Sequence, residues 1–535
     1  MAVWTRANIG EVLPGIVTPL TFSVFQAGLT YGAAKIQGRN SEGEGSQHLR
    51  LYAGRAYVNL DSALSALAGL PAITPETLRQ ALGFELAERR IASSFPRKAI
   101  SWARLFKETL LLAPIARNFL ASYRRELDAR APPYASMKEG AQALRTMVQM
   151  SAECFHIHLR STRLALSWFG IARSVSKRHG GEPSVHLRAG SRSTRGGAMY
   201  AELLALATRG GRPSAHLGLE SDVSGFIMAH GNRPVQELEL SQPLWAERTE
   251  TLNAVIETLR ANRDSIRLPR QTSDHAAFGF PLGVVGATLE RSVRLREETK
   301  QGLLWGYAQL RRSVLWASEA LVSEGNLGRQ DDVFYLTFQE LVGLMEGGTV
   351  VSIRDAIELR RSEYEKNRLL RPPSVVTDGC VPASESSPSR ASVEIRVIKG
   401  MGCSPGIGTG YARVVSDISE AESMRFGEVL VGSAFDPGWT PFLGLAKAIV
   451  TEIGGRLSHI ATVAREIGLP AVVGAKDATK LIQTGQVVVV DGFTGTVTIL
   501  GSGTDSLPKD DGSVPEDGIA CAPETRTPLG KGEPG

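Results

Sequence analysis

Apolar residues recur every three or four positions through most of the first 370 residues. The stretches WARLFKETLLLAPIARNFLASYRRELDAR (102–130) and MKEGAQALRTMVQMSAECFHIHLRSTRLALSWFGIARSV (137–175) show this most clearly. That spacing places one apolar stripe along a helix. GVVGATLERSVRLREETKQGLLWGYAQLRRSVLWASEALVSEG (283–325) predicts one long helix or two stacked ones. DDVFYLTFQELVGLMEG (331–347) reads as a short strand entering a helix, with Thr337 and Glu340 as a capping box. No repeat of fixed period is present. After residue 392 the pattern changes. GEVLVGSA, AKAIVTEIGG, PAVVG, GQVVVVDG and GTVTIL are short β-branched runs bounded by Gly, Asp or Pro. Short helices are expected between them, at about 440–446, 458–467 and 476–482.

The breaks between these patterns divide the chain. Residues 372–392 are rich in Pro and Ser without an apolar period and read as a flexible linker. Residues 501–535 read as a disordered tail, and 38–47 as a polar loop. The expected fold class is multidomain, α + α/β. A mostly helical domain (1–371) precedes a small α/β domain (393–500). A chain of 535 residues, 42% hydrophobic, is long enough for two or three domains.

Charge and cysteine use narrow the functional classes. A formal net charge of +5 comes without a run of basic residues, which disfavours nucleic acid and suits small anions such as phosphates. Four cysteines without a C-x-x-C pair make neither a disulfide framework nor a zinc site, so a reducing cytoplasm is expected. His156 and His158 stand two apart on a helix and face different ways, so no metal is expected there. The N-terminus lacks the layout of a signal peptide, and no run of about 18 apolar residues implies a membrane span.

The strongest chemical signal is GGRLSHIATVAREIGLPAVVG (454–474). Gly454 and Gly455 permit torsions closed to other residues. Ser458 is a good helix cap, which puts His459 in the first helical turn. Free N–H groups and the helix dipole favour an anion there, and a phosphoryl group on the ring is such an anion. A side chain in that turn is expected to be exposed. By position alone, His459 could also be a capping or surface histidine.

This stretch, together with GCSPGIGTGYARVV (402–415) and VLVGSAFDPGWTPFL (429–443), resembles the swivelling β/β/α phosphohistidine domain of the phosphoenolpyruvate synthase and pyruvate phosphate dikinase family. The resemblance implies that His459 accepts and donates a phosphoryl group. In the dikinases a regulatory threonine stands two residues before the histidine. Leu457 stands there in this chain, so that control is not expected.

The helical part is similar to the central substrate domain of rifampin phosphotransferases and related dikinase-like proteins. The likeness rests on NIGEVLPGIVTPLTFS (8–23), GRAYVNL (54–60), HGNRPVQELELSQPLW (230–245), RLREETKQ (294–301) and DDVFYLTFQEL (331–341). Arg296 and Lys300 stand four apart on one helix face. The resemblance implies that they hold the phosphoryl group in transit, whereas composition alone allows a solvated face beside Glu297 and Glu298. Arg233, Glu237 and Glu239 match a substrate-site pattern in which Asn232 replaces a histidine and Pro234 a glycine. His230 stands two residues before Asn232, and Glu237 could instead be a structural partner of Arg233. Asn takes no proton at neutral pH, which sets this site apart from its relatives.

No ATP-grasp or phosphoenolpyruvate-binding barrel is recognised in the sequence. The expectation is therefore a split system. An ATP-grasp partner would supply ATP and Mg2+ and load His459, and an acceptor hydroxyl on a small molecule would receive the phosphoryl group. Alternatives are an ATP-dependent ligase that activates its substrate through phosphohistidine, and a binding or regulatory protein that keeps only the fold.

Overall fold

The structure is a computed structural model. It describes residues 2–38, 48–67, 71–83, 102–178, 195–208, 220–234, 236, 238–266, 281–348, 353–370, 372–378 and 396–502. Residues 39–47 of the expected loop, Glu237, most of the linker and the tail beyond 502 lie outside these residues.

Two 42-residue helices, Met137–Arg178 and Leu282–Ser323, form the spine of the helical region. Pro19–Gln37 and Trp102–Ala129 pack on them. The apolar period of 283–325 thus gives one unbroken helix. Its buried face includes Leu289, Leu295, Leu303, Leu310 and Leu321, and it also buries Arg296, Glu297 and Lys300. Charges are admitted to a helix interior face only when other groups compensate them.

The expected strand near 331 is a 3-10 helix, Gln330–Tyr335. Asp332 decides this. Its carboxylate accepts the Arg329 N–H at 2.8 Å and closes a turn where the apolar run VFYL suggested extension. The capping box that follows is present: Glu340 accepts the Thr337 N–H at 2.7 Å.

A four-stranded antiparallel sheet flanks the helices. Its strands are β1 (Val3–Thr5), β2 (Leu49–Tyr52), β3 (Arg55–Asn59) and β4 (Val375–Thr377), in the order β2-β3-β1-β4. β4 corrects the linker boundary. Residues 375–377 are β-branched, pair with β1 through Trp4↔Val376, and bury Val376. Pairing to a free sheet edge overrides the local Pro and Ser content.

The C-terminal domain is one eight-stranded sheet. It contains β5 (Arg396–Lys399), β6 (Met401–Ser404), β7 (Ile407–Val415), β8 (Glu428–Gly432), β9 (Ala446–Thr451), β10 (Ala471–Val473), β11 (Gln486–Asp491) and β12 (Thr496–Ser502). The order is β5-β12-β11-β7-β8-β9-β10-β6, with β7 to β10 parallel and the flanking pairs antiparallel. All five expected runs are strands. Within the parallel part β8 and β10 are buried at every position on both faces, whereas β7 alternates between buried and partly exposed residues.

One face, through Val429, Val431, Ala448 and Val450, closes a core within the domain. The other, through Leu430 and Ile449, shares a core with Met199, Tyr200, Leu203 and Leu259. Those four residues lie on the helices Arg195–Thr208 and Thr249–Ala261. The helical region and the sheet domain are thus joined by a common apolar core that the sequence boundary at 372–392 does not reveal. No helix among the described residues is long and apolar enough to cross a membrane.

Candidate active site

The loop after β9 carries His459 across to the helical region. Gly454 adopts φ +132°, a torsion that favours glycine. Gly455 serves a different purpose. A Cβ there would lie 2.4 Å from the Ala81 carbonyl oxygen, at the C-terminal end of the helix Pro75–Leu82. Backbone bonds follow at once: the N–H groups of Arg456 and Leu457 donate to the carbonyls of Gln80 and Ala81 at 2.7 and 3.1 Å. Ser458 caps the histidine helix, His459–Ile467, by accepting the Ala461 N–H at 3.2 Å.

His459 is buried, with 3% of its surface exposed. This corrects the expectation of an exposed first-turn side chain, because the helical region covers that turn. The Nδ1–H donates to Glu297 Oε2 at 3.2 Å. Nε2 has no hydrogen-bond partner among the described residues. Burial lowers the imidazole to about 4, despite the adjacent Glu297 carboxylate, with Lys300 and Arg233 pushing the same way as burial. The ring is therefore neutral near pH 7, with its nucleophilic lone pair on Nε2. Burial opposes the charge on Glu297, but the His459 hydrogen bond, Arg296 and Lys300 hold its carboxyl well below the usual range.

The structure brings most of the sequence candidates together. Arg296 and Lys300 are both buried, which excludes the solvated-face reading. Arg296 Nη1 donates to the Leu457 carbonyl, within the histidine loop. Arg233 is buried and donates to Gln301 Oε1 at 2.9 Å, close enough to His459 to act on its titration.

Glu239 is placed elsewhere. Its carboxylate accepts from Thr18, Thr21 and Ser241 at 2.7–3.1 Å, tying this loop to the start of the helix Pro19–Gln37. That is a structural role rather than the substrate contact expected. Glu237 lies outside the described residues. The side chain of Asn232 accepts from Arg312, and His230 Nε2 pairs with Glu202 Oε2 at 2.9 Å.

Sequence reasoning missed two features. Glu297 was read only as a solvated neighbour of Arg296, although its place directly beside that residue in RLREETK was the available signal. Gly196 and Gly197 gave no signal. A Cβ on Gly196 would lie 3.1 Å from His459 Cε1 and 2.7 Å from Val463 Cγ2. One on Gly197 would lie 2.0 Å from Glu466 Oε2. The helix Arg195–Thr208 therefore starts over the imidazole only because these positions lack side chains. Overpacking of this kind costs about 1–3 kcal/mol. Gly196→Ala is expected to lower the stability of the chain by about 1–3 kcal/mol in denaturant unfolding, and an unchanged stability would refute this packing argument.

Comparison with known proteins agrees with this geometry. Residues 424–495 match the family "PEP-utilising enzyme, mobile domain". Rifampicin phosphotransferase of Bacillus cereus is 29% identical over 300 residues, covering 52% of this chain and 34% of that protein. The prodigiosin synthesizing transferase PigC of Serratia marcescens is 31% identical over 315 residues, 54% of this chain and 34% of that protein. A probable phosphoenolpyruvate synthase of Pyrococcus horikoshii is 50% identical over 101 residues, 19% of this chain and 12% of that protein. The chain spans about a third of the length of the first two. The mobile-domain match contains the buried histidine, and the similarities of about 300 residues extend beyond that domain.

Proposed function

We propose that this chain is the phosphoryl carrier and acceptor-binding part of an ATP-dependent, dikinase-like phosphotransferase. The observation that carries this is the state of His459: Nδ1 is held by Glu297, while Nε2 is buried and unpartnered among the described residues. Beside it stand the buried cations Arg233, Arg296 and Lys300. A neutral imidazole has no need of three cations, whereas a phosphoryl group on Nε2 does.

An ATP-grasp unit, which the sequence reading assigns to a partner, takes ATP and Mg2+ and loads His459. Loading requires an open arrangement, since a ring that is 3% exposed cannot reach a nucleotide on another domain. The closed arrangement is the delivery state. The acceptor hydroxyl oxygen attacks phosphorus, the O–P bond forms and the N–P bond breaks. Its electron pair returns to Nε2, and the hydroxyl proton leaves to water. Glu297 keeps the second proton on Nδ1, so the ring departs as neutral imidazole. Arg296 and Lys300 neutralise charge on the transferring oxygens.

The test is single-turnover delivery from a loaded chain. Lys300→Ala is expected to lose about 2.7–4 kcal/mol of transition-state stabilisation, roughly a hundredfold or more in rate, with loading of His459 spared. Equal rates for both half-reactions in the variant and the parent would overturn the assignment. A stable phosphoester product supports transfer, and free phosphate with two joined substrates supports ligation.

A further inference from the structure

His156 and Arg163 take no part in the chemistry around His459, and they face a second pocket where three helices meet. The last turn of Pro19–Gln37 brings Lys35, and Trp102–Ala129 brings Arg104 and Glu108. Met137–Arg178 brings His156, Arg160 and Arg163 along one face. Together they enclose a cavity of about 230 Å³ over the buried side chains of Leu105 and Leu164. Its charges are unbalanced. Four cations face one carboxylate, and Glu108 already accepts from Arg160 Nη2 at 3.1 Å with both oxygens. Arg163 makes no hydrogen bond or ion pair with another described residue. Burial lowers its guanidinium to about 10, and Arg104 and Arg160 push the same way against Glu108. His156 Nδ1 is buried without a hydrogen-bond partner among the described residues, and burial lowers that imidazole, so the ring adds no charge near pH 7. Buried polar atoms of this kind are rare unless a ligand or water completes them.

We propose that this pocket binds a small phosphate monoester, with its phosphate among Lys35, Arg104 and Arg163 and a short apolar body on Leu105 and Leu164. A cleft lined by one sign of charge concentrates the opposite ion. A guanidinium drawn out of water without a partner gains more from an anion than one on open surface does. The lining carries a surplus of three positive charges. A phosphate monoester brings about two negative charges near pH 7, whereas a carboxylate brings one. The Arg163 fork also matches two phosphate oxygens at once. No aromatic side chain lines the pocket among the described residues, so a nucleotide base would find no stacking face. His459, Glu297, Arg233, Arg296 and Lys300 are not among its lining residues, so the site is separate from the carrier site and stands without the phosphoryl-carrier reading.

The experiment is NMR of the histidine Cε1–H groups on the full chain without nucleotide, with propyl phosphate, inorganic phosphate and butyrate as probes. The His156 signal, assigned through His156→Gln, is expected to shift saturably with propyl phosphate. Butyrate carries the same apolar body on a carboxylate and is expected to bind roughly tenfold more weakly or worse. Inorganic phosphate lacks the body and is expected to bind roughly tenfold more weakly too. Arg163→Gln is expected to weaken propyl phosphate binding roughly tenfold or more. Should that variant fail to fold, Lys35→Glu reverses a charge at an exposed position and is expected to weaken binding to a similar degree. A His156 signal that ignores propyl phosphate, butyrate or inorganic phosphate bound as tightly, or undiminished binding in Arg163→Gln or Lys35→Glu would overturn the assignment. A shift of the His459 signal with none at His156 would place the anion among Arg233, Arg296 and Lys300 and overturn it as well.

Discussion

His459→Asn is expected to abolish both the phosphoryl label on this chain and product formation. Asn retains a polar side chain of modest size but has no nucleophilic ring nitrogen. The expected experiment mixes the chain with an ATP-grasp partner and β- or γ-labelled ATP. A phosphoramidate is labile to acid and stable to base, so the label on the parent chain should vanish on mild acid treatment. The substitution falls at a buried position, so folding needs its own measurement. The helix His459–Ile467 keeps its Ser458 cap, and circular dichroism should match that of the parent. Turnover at the parent rate would end the carrier hypothesis. A label that survives acid would place the phosphoryl group on a hydroxyl, with Ser458 the nearest in sequence.

Glu297→Gln is expected to slow delivery by a factor on the order of 10²–10⁴. An amide in place of a carboxylate that orients a catalytic histidine can cost roughly 10⁴. The cause here is the fate of one proton. Glu297 can only accept, so it keeps a proton on His459 Nδ1 and lets the ring leave phosphorus as neutral imidazole. Gln can turn its NH2 toward Nδ1 and favour the other tautomer. The signature is a pH profile. In the parent, the delivery rate should stay level as pH rises through neutrality, because the carboxylate retains the Nδ1 proton. In Glu297→Gln, the rate should fall with rising pH as that proton is lost. A variant with parent-like rate and pH profile would reduce Glu297 to a structural neighbour. Loss of rate with an unchanged profile would do the same.

The histidine helix, its Ser458 cap and the apolar strands around it were legible in the sequence, because each depends on residues a few positions apart. A glycine pair, a cap and a histidine at fixed spacing specify a local structure whatever surrounds them. The pairing of Arg296 with Lys300 was legible for the same reason, since helical periodicity alone puts them on one face. The capping box at Thr337 also followed from spacing, whereas the strand placed before it did not, because Asp332 closed a turn through its side chain.

Tertiary structure decided everything that depends on two distant segments meeting. Glu297 reads as a solvated charge until the loop 454–458 is laid against it, and the contact with His459 spans 162 positions. Glu239 reads as a substrate ligand until Thr18 and Thr21 arrive from more than 200 positions away to occupy its oxygens. The strand at 375–377 exists because β1 offers it an edge, and no local composition encodes that edge. Gly196 and Gly197 matter only through what their missing side chains let in. Local patterns were enough to single out His459 as the candidate carrier. Its burial and its partner carboxylate arise from close packing of the two regions, where exclusion of water turns nearby charges into a site.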